Sequence, residues 1–341
     1  MNVLVTGATG FLGLYIVERL AARGDRVRAF CRREIPELRR PEVEIFHGDI
    51  RNRSDLIAAC RGMDGVIHTA ALAGIGVDRR PYYETNVVGT ENVLAGCLIS
   101  GVERLVHTSS PSITDGGLSQ RGIDETTPFP KKHLAWYPET KEIAERRVIA
   151  ANGAAFASDV PAASRGKLLT CALRPRLIWG PRDRQLVPRL IDRARRGRLA
   201  RIGDGTNLLD TIYVENAADA HLRALDRLTP GSTVAGNAYY LTQGEPVNCW
   251  DWIDRVLAMA DLPPVKKAIS FRTAWRIGLF YETLYRLFNI KGDPPMTRFL
   301  ATQLAGNYWF NISKAKRDLD YQPTISTEEG MRRLERSLKA A

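Results

Sequence analysis

The chain has 341 residues, 44% hydrophobic and 26% charged, the proportions of a folded protein with a large core and more than one lobe. Its net charge of +11 suits an anionic cofactor, acidic substrates or an acidic lipid surface, and no helix-turn-helix, RRM or zinc-finger pattern argues for nucleic acid. Five scattered cysteines, with no Cys-x-x-Cys and no histidines at ligand spacing, exclude a disulfide framework and a metal centre and point to a reduced, cytoplasmic setting.

The opening stretch MNVLVTGATGFLG passes directly from an apolar strand at 2–5 into a helical pattern over residues 11 to about 22. No basic leader of a signal peptide precedes it, and no stretch reaches the roughly 18 uncharged residues of a membrane span. Gly7, Gly10 and Gly13 fall where strand turns into helix. One must adopt an unusual backbone angle, one admits a ligand to the backbone, and one lets helix pack on strand. With Thr9, Phe11 and Leu12 they form a loop whose helix N-terminus offers N–H groups to a pyrophosphate.

A second strand, 26–30, ends in Cys31-Arg32-Arg33. An NAD-specific dinucleotide fold usually places an Asp here for the ribose hydroxyls; two guanidinium groups instead suit a 2′-phosphate, so NADP is preferred over NAD. A third strand, 43–47, runs into Gly48-Asp49-Ile50, and a short helix over 54–60 takes Asn52 or Ser54 as its cap. The fourth strand, 65–69, is followed by Ala70-Ala71, small residues of the kind needed where a cofactor crosses a strand end. His68 reads as a packed core histidine. A helix over 82–98 carries Asn86, and a fifth strand, 104–107, ends in Thr108-Ser109-Ser110. This alternation predicts an α/β fold of Rossmann type, a doubly wound parallel sheet with ligands at the strands' carboxyl ends.

One helix later comes Tyr137-Pro138-Glu139-Thr140-Lys141. Pro138 fits the first turn of a helix, so Tyr137 and Lys141 share a face. A nearby ammonium should lower a phenol pKa from about 10 and make proton transfer feasible at neutral pH. A serine from the preceding cluster, Ser109, Ser110 or Ser112, could then hydrogen-bond a substrate carbonyl.

Residues 151–167 are Ala/Ser/Gly-rich and read as a flexible surface insertion before a strand at 168–173. Beyond Gly180-Pro181 the alternation decays into a basic helix at about 184–197, a return to the sheet at 211–214 and a helix over 215–228. The expected organisation is a dinucleotide-binding domain over 1–180, rejoined by 211–228, and a smaller C-terminal substrate-binding lobe mainly over 181–341 containing Trp250, Trp252, Trp275 and Trp309. In that lobe Phe271, Trp275, Leu279, Phe280, Leu284, Leu287 and Phe288 recur at helical spacing among Arg272, Arg276 and Arg286. The segment 269–288 suits either the lining of a substrate pocket or peripheral contact with a membrane.

Eight phrases together carry a resemblance: TGATGFLG (6–13), HTAA (68–71), TNVVGTENV (85–93), HTSS (107–110), YPETK (137–141), RPRLIWGPRDRQLVPRL (174–190), GDGTNLLDTIYVENAADAH (203–221) and PPMTRFLA (294–301). Over nearly its whole length the chain resembles extended short-chain dehydrogenases/reductases of the 3β-hydroxysteroid dehydrogenase/isomerase-like branch. Within that branch it is similar to bacterial 2-alkyl-3-oxoalkanoate reductases and to sterol-4-carboxylate 3-dehydrogenases. The latter carry an Asp where this chain has Cys31, a departure that favours an NADP-linked reductase.

The resemblance implies an NADP-dependent oxidoreductase acting at a 3-keto/3-hydroxy carbon of a hydrophobic lipid, a 2-alkyl-3-oxoalkanoate or a 3β-hydroxysteroid-like ring. Ser110 would polarise the carbonyl, Tyr137 would donate the proton, and Lys141 would hold the cofactor ribose beside it. It also implies that Asp49 contacts the adenine, that Asn86 is a buried tether between neighbouring strands, and that Pro175, Leu177 and Ile178 line the nicotinamide. A homodimer formed through two helices is the habit of such proteins. Two other readings share the fold: a nucleotide-sugar epimerase or dehydratase, and a non-catalytic NADP-sensing regulator.

Overall fold

Short apolar runs become seven parallel strands of one twisted sheet: β1 (Asn2–Thr6), β2 (Arg26–Cys31), β3 (Val43–His47), β4 (Gly65–His68), β5 (Arg104–Thr108), β6 (Lys167–Pro175) and β7 (Asn237–Leu241). The computed structural model describes residues 1–117, 119–158 and 166–340. Spatial order is β7-β6-β5-β4-β1-β2-β3, so the winding reverses between β4 and β1. The carboxyl ends diverge there, which leaves a crevice for a ligand.

Alternation along each strand feeds two cores. Val3 and Val5 of β1 face one side, where α1 (Phe11–Ala22) and a later helix at Val214–Arg227 cover them. Leu4 faces the other side, under α2 (Arg53–Cys60), α3 (Gly89–Ser100) and Val148 of α4 (Trp136–Ala150). A strand buried on both faces must read as a continuous apolar run, as β1 does. Asn52 caps α2 by accepting from the Ser54 N–H at 3.1 Å. The helix expected over 82–98 is broken into a turn at Arg79–Tyr82, a π-helical turn at Tyr83–Val88, and α3.

Past β6 the chain departs from expectation. Leu177 takes a left-handed backbone (φ 43°), and Ile178–Trp179 pairs with Ile212–Tyr213 in a separate two-stranded parallel ladder. The return to the large sheet expected at 211–214 is therefore corrected: the strand that joins it is β7, beside β6. Only the helix at Val214–Arg227 packs back on the sheet. Ahead of β6, Ala154–Ala155 pairs antiparallel with Lys167 and Leu168, so part of the expected insertion is ordered as a ladder. Its residues 159–165 lie outside the described residues.

The lobe is built from α5 (Leu186–Arg195), α7 (Cys249–Ala258), α8 (Phe271–Leu287) and α9 (Arg298–Ala305), while α6 (Val214–Arg227) belongs to the core of the large sheet. Trp179, Tyr213, Trp250 and Trp252 fill its core, with Trp179 edge-on to both Tyr213 (5.3 Å) and Trp252 (5.8 Å). Trp275 and Trp309 are half-buried. A small sheet orders Val247–Asn248, Leu208–Leu209, Tyr308–Phe310 and Gln120–Ile123, stitching the lobe to the first half of the chain. Among the described residues no helix is long and apolar enough to cross a membrane, and no cluster of His, Cys, Asp or Glu could hold a metal. All five cysteines are buried and unpaired.

Candidate active site

At the carboxyl end of β1 the backbone is shaped to exclude side chains. Gly7 has φ 71°, and a Cβ there would lie 2.8 Å from both the Ala70 nitrogen and the Thr69 hydroxyl. A Cβ on Gly13 would collide with the Gly7 carbonyl. Gly10 is exposed and caps α1 without a side-chain bond, so the first-turn N–H groups point outward unclaimed by any cap. Such a cradle fits a dinucleotide pyrophosphate. Thr9 is half-buried, Phe11 lies edge-on to Tyr15 at 6.0 Å, and Leu12 is buried in the core. Ala70 is half-buried and Ala71 exposed at the end of β4.

Arg32 and Arg33, after β2, are exposed and have no hydrogen-bond or ion-pair partner among the described residues. Asp49 does not stand free: Arg51 donates to its carboxylate at 2.6 Å, and Arg51 with Arg32 holds that carboxyl below its usual range. Ile50 beside it is buried under α3. An open groove of about 550 Å3 runs along Asp49, Arg51, Asn52, Arg53, Glu84 and Val88. Arg51 and Arg53, which line this groove, were not singled out in the sequence.

Tyr137 and Lys141 occupy successive turns of α4, whose first turn contains Pro138. Tyr137 is half-buried. Burial pushes the phenol above its ordinary value, and the Ser110 hydroxyl opposes that rise. The Ser110 hydroxyl also lies 2.8 Å from that of Ser112. Ser109 instead uses its N–H to reach the Leu173 carbonyl at 2.6 Å, and its buried hydroxyl has no partner among the described residues. Of the three candidate serines, Ser110 is the one that influences the Tyr137 phenol.

Lys141 is buried, and Nζ donates to the Thr108 carbonyl at 2.6 Å and meets His107 Nε2 at 3.1 Å. Burial draws its ammonium down to about 7, with Glu145 opposing. The expectation that Lys141 depresses the Tyr137 phenol is therefore corrected. Lysine aims at the end of β5 rather than at the phenol, and burial dominates the tyrosine. A charged lysine can only donate, so beside the ammonium form His107 presents its Nε2 lone pair and carries its proton on Nδ1. That Nδ1 is buried and has no partner among the described residues. His107 was missed, because its role depends on how β5 lies against α4.

His68 is a core residue as expected: Thr6 and Thr90 hold its ring at 2.7 and 3.0 Å, and burial drives it down to about 3. Below Lys141, Glu145 forms a two-point pair with Arg174 (3.0 and 2.5 Å) whose side chains are 3% and 4% exposed. The Arg174 guanidinium also sits over Tyr240 at 5.0 Å and Phe129 at 5.8 Å.

Asn86 is buried in the π-helical turn. It binds both backbone groups of Leu72 (2.7 and 3.0 Å) and the Thr140 hydroxyl (3.0 Å). It thus ties the loop after β4 to α4, not one strand to another. Pro175 ends β6 opposite Leu241, and Leu177 and Ile178 lead the chain away from that strand end. A second cavity of about 180 Å3 lies on the lobe side, walled by Val77, Leu134, Trp136 and α8 residues Glu282 and Arg286.

The profile of the 3-beta hydroxysteroid dehydrogenase/isomerase family matches residues 4–272. A Stenotrophomonas maltophilia protein named 2-alkyl-3-oxoalkanoate reductase is 45% identical over 343 residues, covering 100% of both chains. Human sterol-4-alpha-carboxylate 3-dehydrogenase, decarboxylating, is 34% identical across 98% of this chain and 87% of its own. Among solved structures, gox2253 superposes with a TM-score of 0.75 at 26% identity, covering 99% of this chain and 98% of that one. MoeE5 in complex with UDP-glucose and NAD superposes at 0.72 and 24% identity, covering 100% and 99%, a likeness of fold alone.

Proposed function

Because the chain belongs to the 3-beta hydroxysteroid dehydrogenase/isomerase family, NAD(P)-dependent enzymes acting on CH–OH and keto groups, we propose that it is an NADP-linked reductase of the 3-keto group of a 2-alkyl-3-oxoalkanoate. The observation that carries this reading is the placement of Tyr137, whose phenol Ser110 draws down, one helical turn before buried Lys141. The full-length 45% relative with that name supports the substrate class.

The bound nicotinamide would supply hydride to the carbonyl carbon. The protein's part is to receive the developing oxyanion. Ser110 donates to the carbonyl oxygen, which makes the carbon a better acceptor. Tyr137 then passes its phenolic proton to that oxygen. Lys141, held by Thr108 and His107, keeps one N–H for the ribose and a positive charge beneath the site. Arg32 and Arg33 are free to take a 2′-phosphate, while Arg51 and Arg53 line the groove at Asp49.

The test is NADPH absorbance decay with a 2-alkyl-3-oxoalkanoate and a 3-oxosteroid offered separately. Consumption with the oxo acid, abolished in Tyr137→Phe while NADPH still binds, is the expected result. Turnover of the steroid alone would move the enzyme to the sterol branch. Retained turnover in Tyr137→Phe would refute the assignment of the acid, and silence with both substrates but binding of UDP-glucose would favour nucleotide-sugar chemistry.

A further inference from the structure

Nine large apolar side chains are well exposed among the described residues, and seven of them fall within 271–290. The orientation of α8 is fixed by a narrow buried stripe, Ala274, Gly278 and Glu282. A Cβ on Gly278 would come within 2.6 Å of the Thr297–Arg298 backbone, so the helix lies flush on the start of α9 and cannot roll. With about 100° per residue, Phe280 and Leu287 then project on the side opposite Gly278, with Ile277 and Leu284 on the flank next to them. Phe280 is 61% exposed, Leu287 75% and Phe288 65%. A water-facing helix side normally carries polar groups, and an apolar side of this kind marks a contact surface.

The charges around it are of one sign. Arg272, Arg276, Arg286 and Lys291 are exposed and have no ion-pair partner among the described residues. The one acid within 271–291, Glu282, is buried and occupied by the Arg298 N–H and Nε at 2.8 Å. A second copy of the chain is a poor occupant, since a two-fold contact would set these four cations against their own counterparts. We infer that α8 is an in-plane docking helix for an anionic lipid bilayer, with Phe280, Leu287 and Phe288 entering the acyl boundary and the four cations meeting lipid phosphates. One consequence rests on the proposed function. Glu282 and Arg286 of this helix wall the lobe-side cavity together with Trp136, the chain neighbour of Tyr137, so a docked bilayer lies beside a cavity that a water-insoluble substrate would enter.

The experiment is flotation of the full chain with vesicles of phosphatidylcholine, alone or with about one third phosphatidylglycerol. Binding to the anionic vesicles, weakened by salt, is expected. Arg272→Gln and Arg276→Gln should each lower the partition about fivefold, and the triple change Phe280→Ser, Leu287→Ser and Phe288→Ser should abolish it. Because all five side chains are exposed, thermal midpoint and NADPH binding should stay at parent values, which separates lost docking from lost fold. Turnover of a short, soluble 2-alkyl-3-oxo acid should also persist in the triple variant; its absence in the parent would count against the proposed function and leave docking standing. Failure of the parent to float with anionic vesicles, or undiminished flotation of the triple variant, would overturn the inference. So would a dimer in sedimentation that the triple variant dissolves while neither form binds vesicles.

Discussion

Truncating Glu145 to Ala would strip the carboxylate from a guanidinium that has no route to water. Glu145 and Arg174 are 3% and 4% exposed, and the pair is joined at two points. Breaking such a pair from one side costs about 3–5 kcal/mol, because the remaining charge stays buried without its partner. The rings of Tyr240 and Phe129 keep part of the favourable field on Arg174, so the lower figure, about 3 kcal/mol, is expected. With unfolding entropy near 2.1 cal/mol/K per residue, a chain of this size should lose roughly 4 °C in thermal midpoint. Replacing both partners, Glu145→Leu with Arg174→Met, should bring the stability back to within about 1 kcal/mol of the parent.

A second readout follows the charge alone. Glu145 opposes the burial that draws Lys141 down to about 7. Without that carboxylate, protonated Lys141 is lost at lower pH, so the alkaline limb of the rate profile should move toward acid in both the single and the double variant. A Glu145→Ala protein within about 1 kcal/mol of the parent, or one whose alkaline limb stays put, would refute the reasoning.

Three further outcomes can be checked on the same preparation. Arg32→Asp with Arg33→Ser should cut kcat/KM for NADPH about tenfold or more relative to NADH, since each charge-assisted phosphate contact contributes about 1.5–3 kcal/mol. His107→Leu removes the acceptor that favours charged Lys141, so the alkaline limb should again shift to lower pH, and His107→Gln should restore much of it; circular dichroism should show both variants folded. Gly13→Ala forces a Cβ into the Gly7 carbonyl, so NADPH affinity measured by fluorescence should fall more than overall stability.

The first half of the fold was legible because its signals are local. Each strand from β1 to β5 is a short apolar run closed by a turn, and the Asn52 cap sits two residues from the N–H it accepts. The lobe was less so. Two-residue ladders such as Ile178–Trp179 with Ile212–Tyr213 have no period to read, and nothing about a leucine announces the left-handed backbone of Leu177. The site divides in the same way. Tyr137, Pro138 and Lys141 sit in one short phrase, whereas the grip of His107 on Lys141 spans 34 positions and that of Glu145 on Arg174 spans 29. Such long-range pairs exist only once strand and helix have been laid side by side. For 271–288 the amphipathic repeat was plain in the chain, but which side faces solvent was set by Gly278 against the start of α9.

The small sheet of the lobe places its strands out of the order of synthesis. Tyr308–Phe310 lies between Leu208–Leu209 and Gln120–Ile123, and the Asn307 N–H reaches Ser119 across 188 residues. At roughly 5–20 residues per second a ribosome needs about 10–40 s to span that gap. During that interval the parallel sheet through β6 can close on its own helices while the edge at Gln120–Ile123 waits uncovered. A nascent chain is therefore most vulnerable to pairing with a neighbour at this edge, and slowed elongation between residues 123 and 308 lengthens the exposure.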